Sequence, residues 1–214
     1  MRDLHCHILP GVDDGARDLK ESLAMLQAAK EAGISSITCT PHCRDPYFDF
    51  EAMWEAFYAL EDAAEGFPLQ MGFEVNYRKL MELGLEWAEV LHFDGSNEFL
   101  LELSARSRSS RYDDYMRTIF ELQGMGYEVI IAHPERYAAI QRDFGLADEL
   151  VRMGCKLQCS TDFIAGGRFG AERKPALNML KQGMVSYLSS DAHRVEHYSY
   201  FERAHQRYGH LLID

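Results

Sequence analysis

The stretch EFLLELSARSRSSRYDDYMRTIFELQGMGYEVIIAH, residues 98–133, decides the fold. It opens on an apolar run, 98–103, that reads as a buried strand, and closes on a second, 127–133. Between them residues 112–124 carry helical periodicity. Two strands joined by so long a helical connection predict parallel pairing. Working outward, the same alternation recurs. A strand is expected from Asp3 to Ile8, and a helix over 18–32 that starts at Asp18, with Glu21 three residues on, and stops at Gly33. Leu19, Leu23, Leu26 and Ala29 or Lys30 set the apolar face of that helix. Strand character follows at 34–40, a helix at 50–65 and an extended run at 68–76. Beyond the opening stretch come a helix at 144–153, a strand at 156–160, a helix at 172–182, a strand at 185–190 and a last helix at 196–207. Such alternation predicts an α/β fold with a mostly parallel sheet, either doubly wound or closed into a barrel. No G-x-G-x-x-G follows the first strand, so a dinucleotide-binding fold lacks its fingerprint. Polar residues instead collect where the apolar runs end, which is where a barrel builds its active site. The reading is a small, irregular barrel in one domain, residues 1–214.

Composition narrows the function classes. With 47% hydrophobic and 26% charged residues, the chain can bury a core without disulfide staples. No segment reaches the roughly 18 uninterrupted apolar residues of a membrane-spanning helix. The net charge of −12 repels a nucleic-acid backbone and an anionic membrane, so neither is expected as a partner. The N-terminal residues lack the apolar run of a secretory signal, and the expected location is cytoplasmic. Five cysteines (Cys6, Cys39, Cys43, Cys155, Cys159) are accordingly expected as reduced thiols. Two C-x3-C spacings evoke a zinc knuckle, but each lies in an apolar run where a thiol packs as a small hydrophobe.

Ligand-type residues sit at one strand end after another: His5 and His7, Asp13 and Asp14, His42, Glu74, Glu102, His133, Asp191 and His193. His5 and His7 are two apart on a strand, so both rings face one side while Cys6 faces the other. Paired imidazoles suit a borderline divalent cation. A lone histidine is more often a hydrogen-bonded core residue. A carboxylate such as Glu102, ending an apolar strand, must be paired, protonated or metal-bound, because burying it bare is costly. Glu74 poses the same problem. Their conjunction points to a metal site.

The motifs HCHILPGVDDGA (5–16), TPHC (40–43), GFEV (72–75), LLELS (100–104), IAHPERY (131–137) and SSDAH (189–193) resemble, in order and spacing, those of the PHP (polymerase and histidinol phosphatase) superfamily. Within it the chain is similar to bacterial capsule-type, manganese-dependent protein-tyrosine phosphatases. The resemblance implies a distorted (β/α)7 barrel of PHP type with three divalent metal ions at the strand ends. Carried over, His5, His7, Glu74 and Asp191 would hold the first ion. Glu74 would bridge to a second, completed by Glu102 and His133. Asp14, His42 and His193 would hold the third, with Asp13 the neighbouring alternative to Asp14. Arg136 is implied to grip the substrate phosphate, and His42 and Asp191 share the catalytic assignment. A second phosphate-binding arginine is implied shortly after the last ligand, where both Arg194 and Arg203 stand. Mn2+ is implied by the resemblance; the oxygen and nitrogen donor set also accommodates Fe2+ or Zn2+.

The expected chemistry is phosphomonoester hydrolysis through a metal-activated hydroxide, without a covalent intermediate. Four carboxylates and five neutral imidazoles carry −4, and three divalent ions bring +6, leaving +2 for a phosphate dianion. Because the imidazoles must be unprotonated, metal loss is expected below about pH 6. A cysteine-based tyrosine phosphatase is excluded: six residues beyond the cysteines stand Val12, Asp45, Asp49, Thr161 and Ala165, none of them arginine. Arg106, Arg108 and Arg111 either steer an acidic phosphopeptide or form a solvated loop. The aromatic segment 46–58 either lines a groove for a tyrosyl ring or packs as a helix. His92, His197, His205 and His210 are read as surface or core residues. The implied partner is a phosphotyrosyl protein, such as a bacterial tyrosine kinase of polysaccharide synthesis. The rivals are a small-molecule phosphatase, such as one acting on histidinol phosphate, a nuclease-like phosphoesterase, and a non-catalytic module stabilised by metal.

Overall fold

Every strand pairing between named strands is parallel, as the alternation predicts. The computed structural model describes residues 1–106, 111–164 and 170–213. One sheet orders β1 (Arg2–Cys6), β2 (Ser36–Cys39) and β4 (Leu69–Met71). The other runs β3 (His42–Cys43), β5 (Glu74–Asn76), β6 (Glu98–Glu102), β7 (Glu128–Ala132), β8 (Lys156–Ser160) and β9 (Tyr187–Ser189). The chain passes from the first sheet to the second twice, from β2 to β3 through Thr40–Pro41 and from β4 to β5 through Gly72–Phe73. Pro41 has no N–H for the ladder, and its carbonyl accepts from Glu74 N at 3.2 Å. A Cβ on Gly72 would lie 2.4 Å from the Phe93 ring, so only glycine fits there. The remaining edges also meet. Asp191 N donates to His5 O at 2.8 Å, and His7 N donates to Ala192 O at 2.9 Å. The parallel sheet therefore curls back toward its own first strand.

Helices cover the outside of this curl. The first, α1 (Leu19–Glu31), begins where the sequence places it: the Asp18 carboxylate accepts from Glu21 N at 2.9 Å. Its buried face corrects the expectation. Ser22, Met25, Leu26 and Ala29 point inward, whereas Leu19 and Leu23 are each 36% exposed. Ser22 can be buried because its hydroxyl donates to Asp18 O. The helices α2 (Phe50–Ala63), α5 (Tyr112–Gly124), α7 (Gly145–Arg152), α8 (Arg173–Lys181) and α9 (His197–Tyr208) fall where periodicity predicts them. Among the described residues the structure adds three short helices that periodicity does not predict: α3 (Tyr77–Leu83), α4 (Ala88–Leu91) and α6 (Ala138–Arg142). They are too brief to show a period. A small apolar cluster of Leu4, Phe93, Leu100, Ile130 and Ala132 is separate from the main core. Leu100 shares a strand face with Glu102, so this cluster lies beneath the polar strand ends.

Candidate metal centre

The polar residues that end the strands converge. His5 and His7 leave β1 on one face while Cys6 joins the apolar core, as their two-residue spacing requires. One extra residue on β1 between its Asp3 and Cys6 pairings with β2 re-aims this end of the strand. His7 Nδ1 meets Asp13 Oδ2 at 2.8 Å, and His5 Nδ1 meets Gln158 Oε1 at 2.9 Å. Held from outside in this way, both rings turn Nε2 inward, and the two Nε2 atoms stand 3.3 Å apart. Ligands about 2.1 Å from one ion lie roughly 3.0–3.4 Å from each other.

Around this pair, four groups of donors each gather within 4.8 Å: His7, Asp14, His42 and His193; His5, His7 and Glu74; His5, His133 and Asp191; and Glu74, Glu102 and His133. All nine metal-ligand candidates from the sequence occur in them. His133 Nε2 is 2.7 Å from Glu74 Oε1, and Asp14 Oδ1 is 3.1 Å from His42 Nε2 and 3.3 Å from His193 Nε2. Asp14 therefore stands in the cluster. Asp13 stands behind it, accepting also from Gly15 N at 2.8 Å and His42 N at 3.1 Å. Two of the candidates, His133 (φ 32°) and Asp191 (φ 48°), hold left-handed backbone, a strained conformation that recurs at functional sites.

The donor set fits divalent cations on three observations. Buried His42 Nδ1, Glu74 Oε2 and Asp191 Oδ2 make no aligned hydrogen bond, although Asp191 Oδ2 is ion-paired with Arg136. His42 Nδ1 and Glu74 Oε2 nevertheless stand 2.5 Å apart, without hydrogen-bond alignment. The electrostatics agree. Burial disfavours charge on His5, yet Asp191 and Glu74 push its pKa up to about 9. Burial likewise disfavours charge on His42, but Glu74 and Asp14 push it up to about 10. Glu74 and Asp191 are buried and still held well below the usual carboxylate range, by His42 and His5 in one case and Arg136 and His5 in the other. Protons thus occupy a place that the carboxylates reserve for positive charge. His193 departs from this pattern: burial and the neighbouring His7 lower it to about 4.

Arg136 reaches the cluster, with Nη1 2.6 Å from Asp191 Oδ2, and is itself anchored by Asp162 Oδ2 at 2.8 Å and Ser160 Oγ at 3.3 Å. Arg194 instead donates to the carbonyls of Asp14 and Gly15, at 2.9 and 2.8 Å, and so braces the loop that carries Asp14. Arg203 lies along α9, donating to Ser199 O and resting over the Tyr200 ring. His197 borders the site, its Nδ1 3.4 Å from His193 N and accepting from it. The aromatic segment divides: Tyr47 stacks on His42 with ring centroids 5.8 Å apart, whereas Phe50 and Trp54 pack against Phe73, Trp87 and Phe57. Arg108 lies outside the described residues.

Several working residues gave little sequence signal. Gln158 and Asp162 belong to no ligand-like motif. Gln158 does stand out as a polar residue inside the strand KLQCS. Arg44, with Nη2 2.7 Å from His42 Nε2, follows the TPHC motif without belonging to it. The five cysteines are free and buried, and burial pushes the Cys43 and Cys155 thiols up to about 12. None is poised as a nucleophile.

A family profile described as capsular polysaccharide synthesis, CpsB/CapC, matches residues 1–201. The chain belongs to the CpsB/CapC family. It is 33% identical to the tyrosine-protein phosphatase YwqE of Bacillus subtilis over 203 residues, covering 92% of this chain and 78% of that protein. It is 28% identical to the tyrosine-protein phosphatase CpsB of Streptococcus pneumoniae over 207 residues, 92% of this chain and 84% of that one. Among solved structures it superposes on a chain from the crystal structures of YwqE and CpsB, described as unique metal-dependent tyrosine phosphatases. The TM-score is 0.81 at 26% identity, covering 99% of this chain and 89% of that chain. A lactonase from Listeria monocytogenes, at 11% identity and a TM-score of 0.51, shares the fold alone.

Proposed function

We propose that this CpsB/CapC-family protein is a metal-dependent protein-tyrosine phosphatase, a phosphoric monoester hydrolase working without a covalent enzyme intermediate. The observation that carries the reading is the convergence of nine candidate ligands from seven chain segments into groups within 4.8 Å, with buried donor atoms that make no aligned hydrogen bond. The curled parallel sheet, with β2–β3 and β4–β5 as continuous passes and hydrogen bonds between β1 and the end of β9, supports a distorted (β/α)7 barrel of PHP type. We take residues 1–214 as one such domain. The metal ligands are His5, His7, Asp14, His42, Glu74, Glu102, His133, Asp191 and His193, arranged for three divalent ions, with Mn2+ preferred. A reducing compartment, the cytoplasm, suits five unpaired thiols.

Divalent ions bound there supply a water deprotonated near neutral pH and neutralisation of the phosphoryl oxygens. The chain's own contribution is positioning. Asp13 and Gln158 fix the tautomers of His7 and His5 and leave Nε2 free to ligate. Arg136 is held at the cluster by Asp162 and Ser160 on Nη2 and by Asp191 on Nη1, and its remaining guanidinium N–H groups are there to meet a phosphoryl oxygen. His42 and Asp191 border the same space, Asp191 in contact with Arg136. A phenolic leaving group departs with less need of a proton than an alkoxide, which suits a site where buried Glu74 and Asp191 are held ionised. A phosphotyrosyl protein is the substrate, and the capsule-synthesis setting of the family favours a bacterial tyrosine kinase of polysaccharide assembly.

The test is to strip the protein with chelator, reload it separately with Mn2+, Fe2+ and Zn2+, and compare kcat/KM on a phosphotyrosyl peptide and on histidinol phosphate. A preference for the peptide of about ten-fold, about 1.4 kcal/mol of transition-state discrimination, is expected. The reverse preference would move the function to small-molecule metabolism.

A further inference from the structure

Beside the candidate ligand cluster three hollows adjoin one another. One of about 380 Å³ is lined by Arg44, Asn76, Arg78, Glu102 and Arg106 among others, so it opens directly from a candidate ligand. A second, about 240 Å³, shares Arg44, Asn76 and Arg78 and adds Asp45, Lys79 and Glu82. A third, about 500 Å³, shares Asn76 and Arg78 and continues to Tyr77, Met81 and Arg111. The charged lining comprises five cations (Arg44, Arg78, Lys79, Arg106, Arg111) and three carboxylates (Asp45, Glu82, Glu102), a balance of +2. That is a local inversion in a chain of net charge −12. Such a patch draws in negative charge and holds it near the cluster.

The partners of these groups show which cations are available. Lys79 is occupied by Asp45 at 2.7 Å, and Glu102 receives a hydrogen bond from Asn76 Nδ2 at 2.8 Å. Arg78 meets Glu82 at 3.1 Å, but in an i,i+4 pair whose arginine is 87% exposed, which holds it weakly. Arg44 touches His42 at 2.7 Å, Asp14 at 3.7 Å and Glu102 at 3.9 Å. All three are candidate metal ligands. Cations held by those ligands would take up Arg44's acceptors and repel its guanidinium, leaving it to face the hollow. Lys79 is held by Asp45 and Glu102 stands at one end of the hollow, which leaves guanidinium forks whose planar donor pairs match the two oxygens of a carboxylate.

We propose that Arg44, Arg78 and Arg106 form an anion subsite that takes the carboxylate of an acidic residue flanking the substrate phosphotyrosine. The subsite rests on the phosphatase reading for its substrate, and on the hollow's own charge and shape for its specificity. It makes this enzyme selective for acidic phosphotyrosyl peptides and leaves free phosphotyrosine untouched by the preference.

The experiment uses the full chain, metal-loaded, and peptides carrying phosphotyrosine flanked by glutamate, by glutamine, or by a second phosphotyrosine. Binding is read by fluorescence anisotropy on matching peptides with a non-hydrolysable phosphonate, and turnover as separate kcat and KM values. The glutamate peptide is expected to bind about five-fold more tightly than the glutamine peptide, through KM rather than kcat, with the ratio collapsing near 0.5 M salt. The doubly phosphorylated peptide should gain no more than the glutamate one. In the double variant R78Q/R106Q the ratio should fall to about one, while hydrolysis of free O-phosphotyrosine stays within two-fold of wild type. Arg44→Gln should lower the same ratio with metal content unchanged by elemental analysis. Equal binding of glutamate and glutamine peptides by the wild type would overturn the subsite, as would a preference that survives R78Q/R106Q. A larger gain from the second phosphotyrosine would overturn its assignment to a carboxylate. A protein that keeps the arginine-dependent binding preference and hydrolyses none of the peptides would retain the subsite and refute the phosphatase reading.

Discussion

At His7 the ring nitrogen that faces away from the cluster lies 2.8 Å from Asp13, whose other oxygen accepts from Gly15 N. Asp13→Asn keeps the size and removes the charge that fixes the tautomer. Metal affinity should fall about 10- to 100-fold while far-UV circular dichroism stays unchanged. The proton is the other residue-scale competitor. His5 and His42 have pKa values pushed up to about 9 and 10, so at neutral pH both carry protons that an incoming cation must displace. The sign follows: metal affinity rises with pH through the neutral range and falls as pH drops, reaching higher in pH than the value of about 6 that unperturbed imidazoles imply. Titration calorimetry of Mn2+ in buffers of different ionisation enthalpy should show net proton release at pH 7. Uptake without proton release would contradict the assignment of these two histidines as ligands.

The strand ends that carry the candidate ligands are tied together as elements. Tyr137, buried in the turn after β7, donates to Ala132 O at 2.6 Å and accepts from Leu103 N at 2.9 Å. One hydroxyl therefore joins the ends of β6 and β7 next to Glu102 and His133. Tyr137→Phe leaves Leu103 N buried without a partner, and chemical denaturation should show a loss on the order of 1–3 kcal/mol. The loop after β1 depends on Gly15 in the same way. A Cβ there would lie 1.9 Å from His7 O and 2.6 Å from His7 Cβ. Gly15→Ala must push the loop off the strand that aims His5 and His7. Loss of metal binding is expected even where the variant stays folded, and crystallography or metal analysis would show it.

Across the whole molecule the seam between β1 and β9 brings β1 to the last candidate ligands, Asp191 and His193. Asp3 holds that seam, its carboxyl accepting from Ser190 N at 2.8 Å and Ser190 Oγ at 2.5 Å. Burial pushes the Asp3 carboxyl up to about 6, above its unfolded value, although Ser190 works in the opposite direction. Its contribution to stability is therefore complete below about pH 4 and is lost as pH rises through 6. Asp3→Asn removes the charge; its amide oxygen still accepts from Ser190 N, and its amide N–H can donate to Ser190 Oγ if that hydroxyl turns to His5 O. It should match or exceed the wild type in Tm at pH 7.5, and lose that advantage at pH 5. A Tm several degrees lower at pH 7.5 would refute this account. Metal loading should itself raise Tm, since an ion bound only by the folded state stabilises by about 4 kcal/mol at a thousand times its Kd.

Much of this is legible in the order of the residues alone. Strand and helix order follow from local periodicity, and α1 and α5 begin and end within a residue or so of where caps and spacing place them. The ligand candidates were legible because a carboxylate or histidine at the end of an apolar run is costly unless paired, and the family motifs name the same positions. Other features depend on contacts between residues far apart in the chain. Local spacing leaves Asp13 and Asp14 as equal alternatives; only the fold puts one against the back of His7 and the other beside His42 and His193. The face of α1 turned inward, away from Leu19 and Leu23, because the sheet it covers selects which stripe is buried. Gln158, Asp162, Arg44 and Tyr47 acquire their roles only when β8, β3 and the loops beyond them reach the same strand ends. A sequence by itself determined which residues demand partners, since that is a property of each side chain and its neighbours. Tertiary structure decided who those partners are, because pairing energies depend on distance, and distance across a curled sheet is not written in the order of the chain.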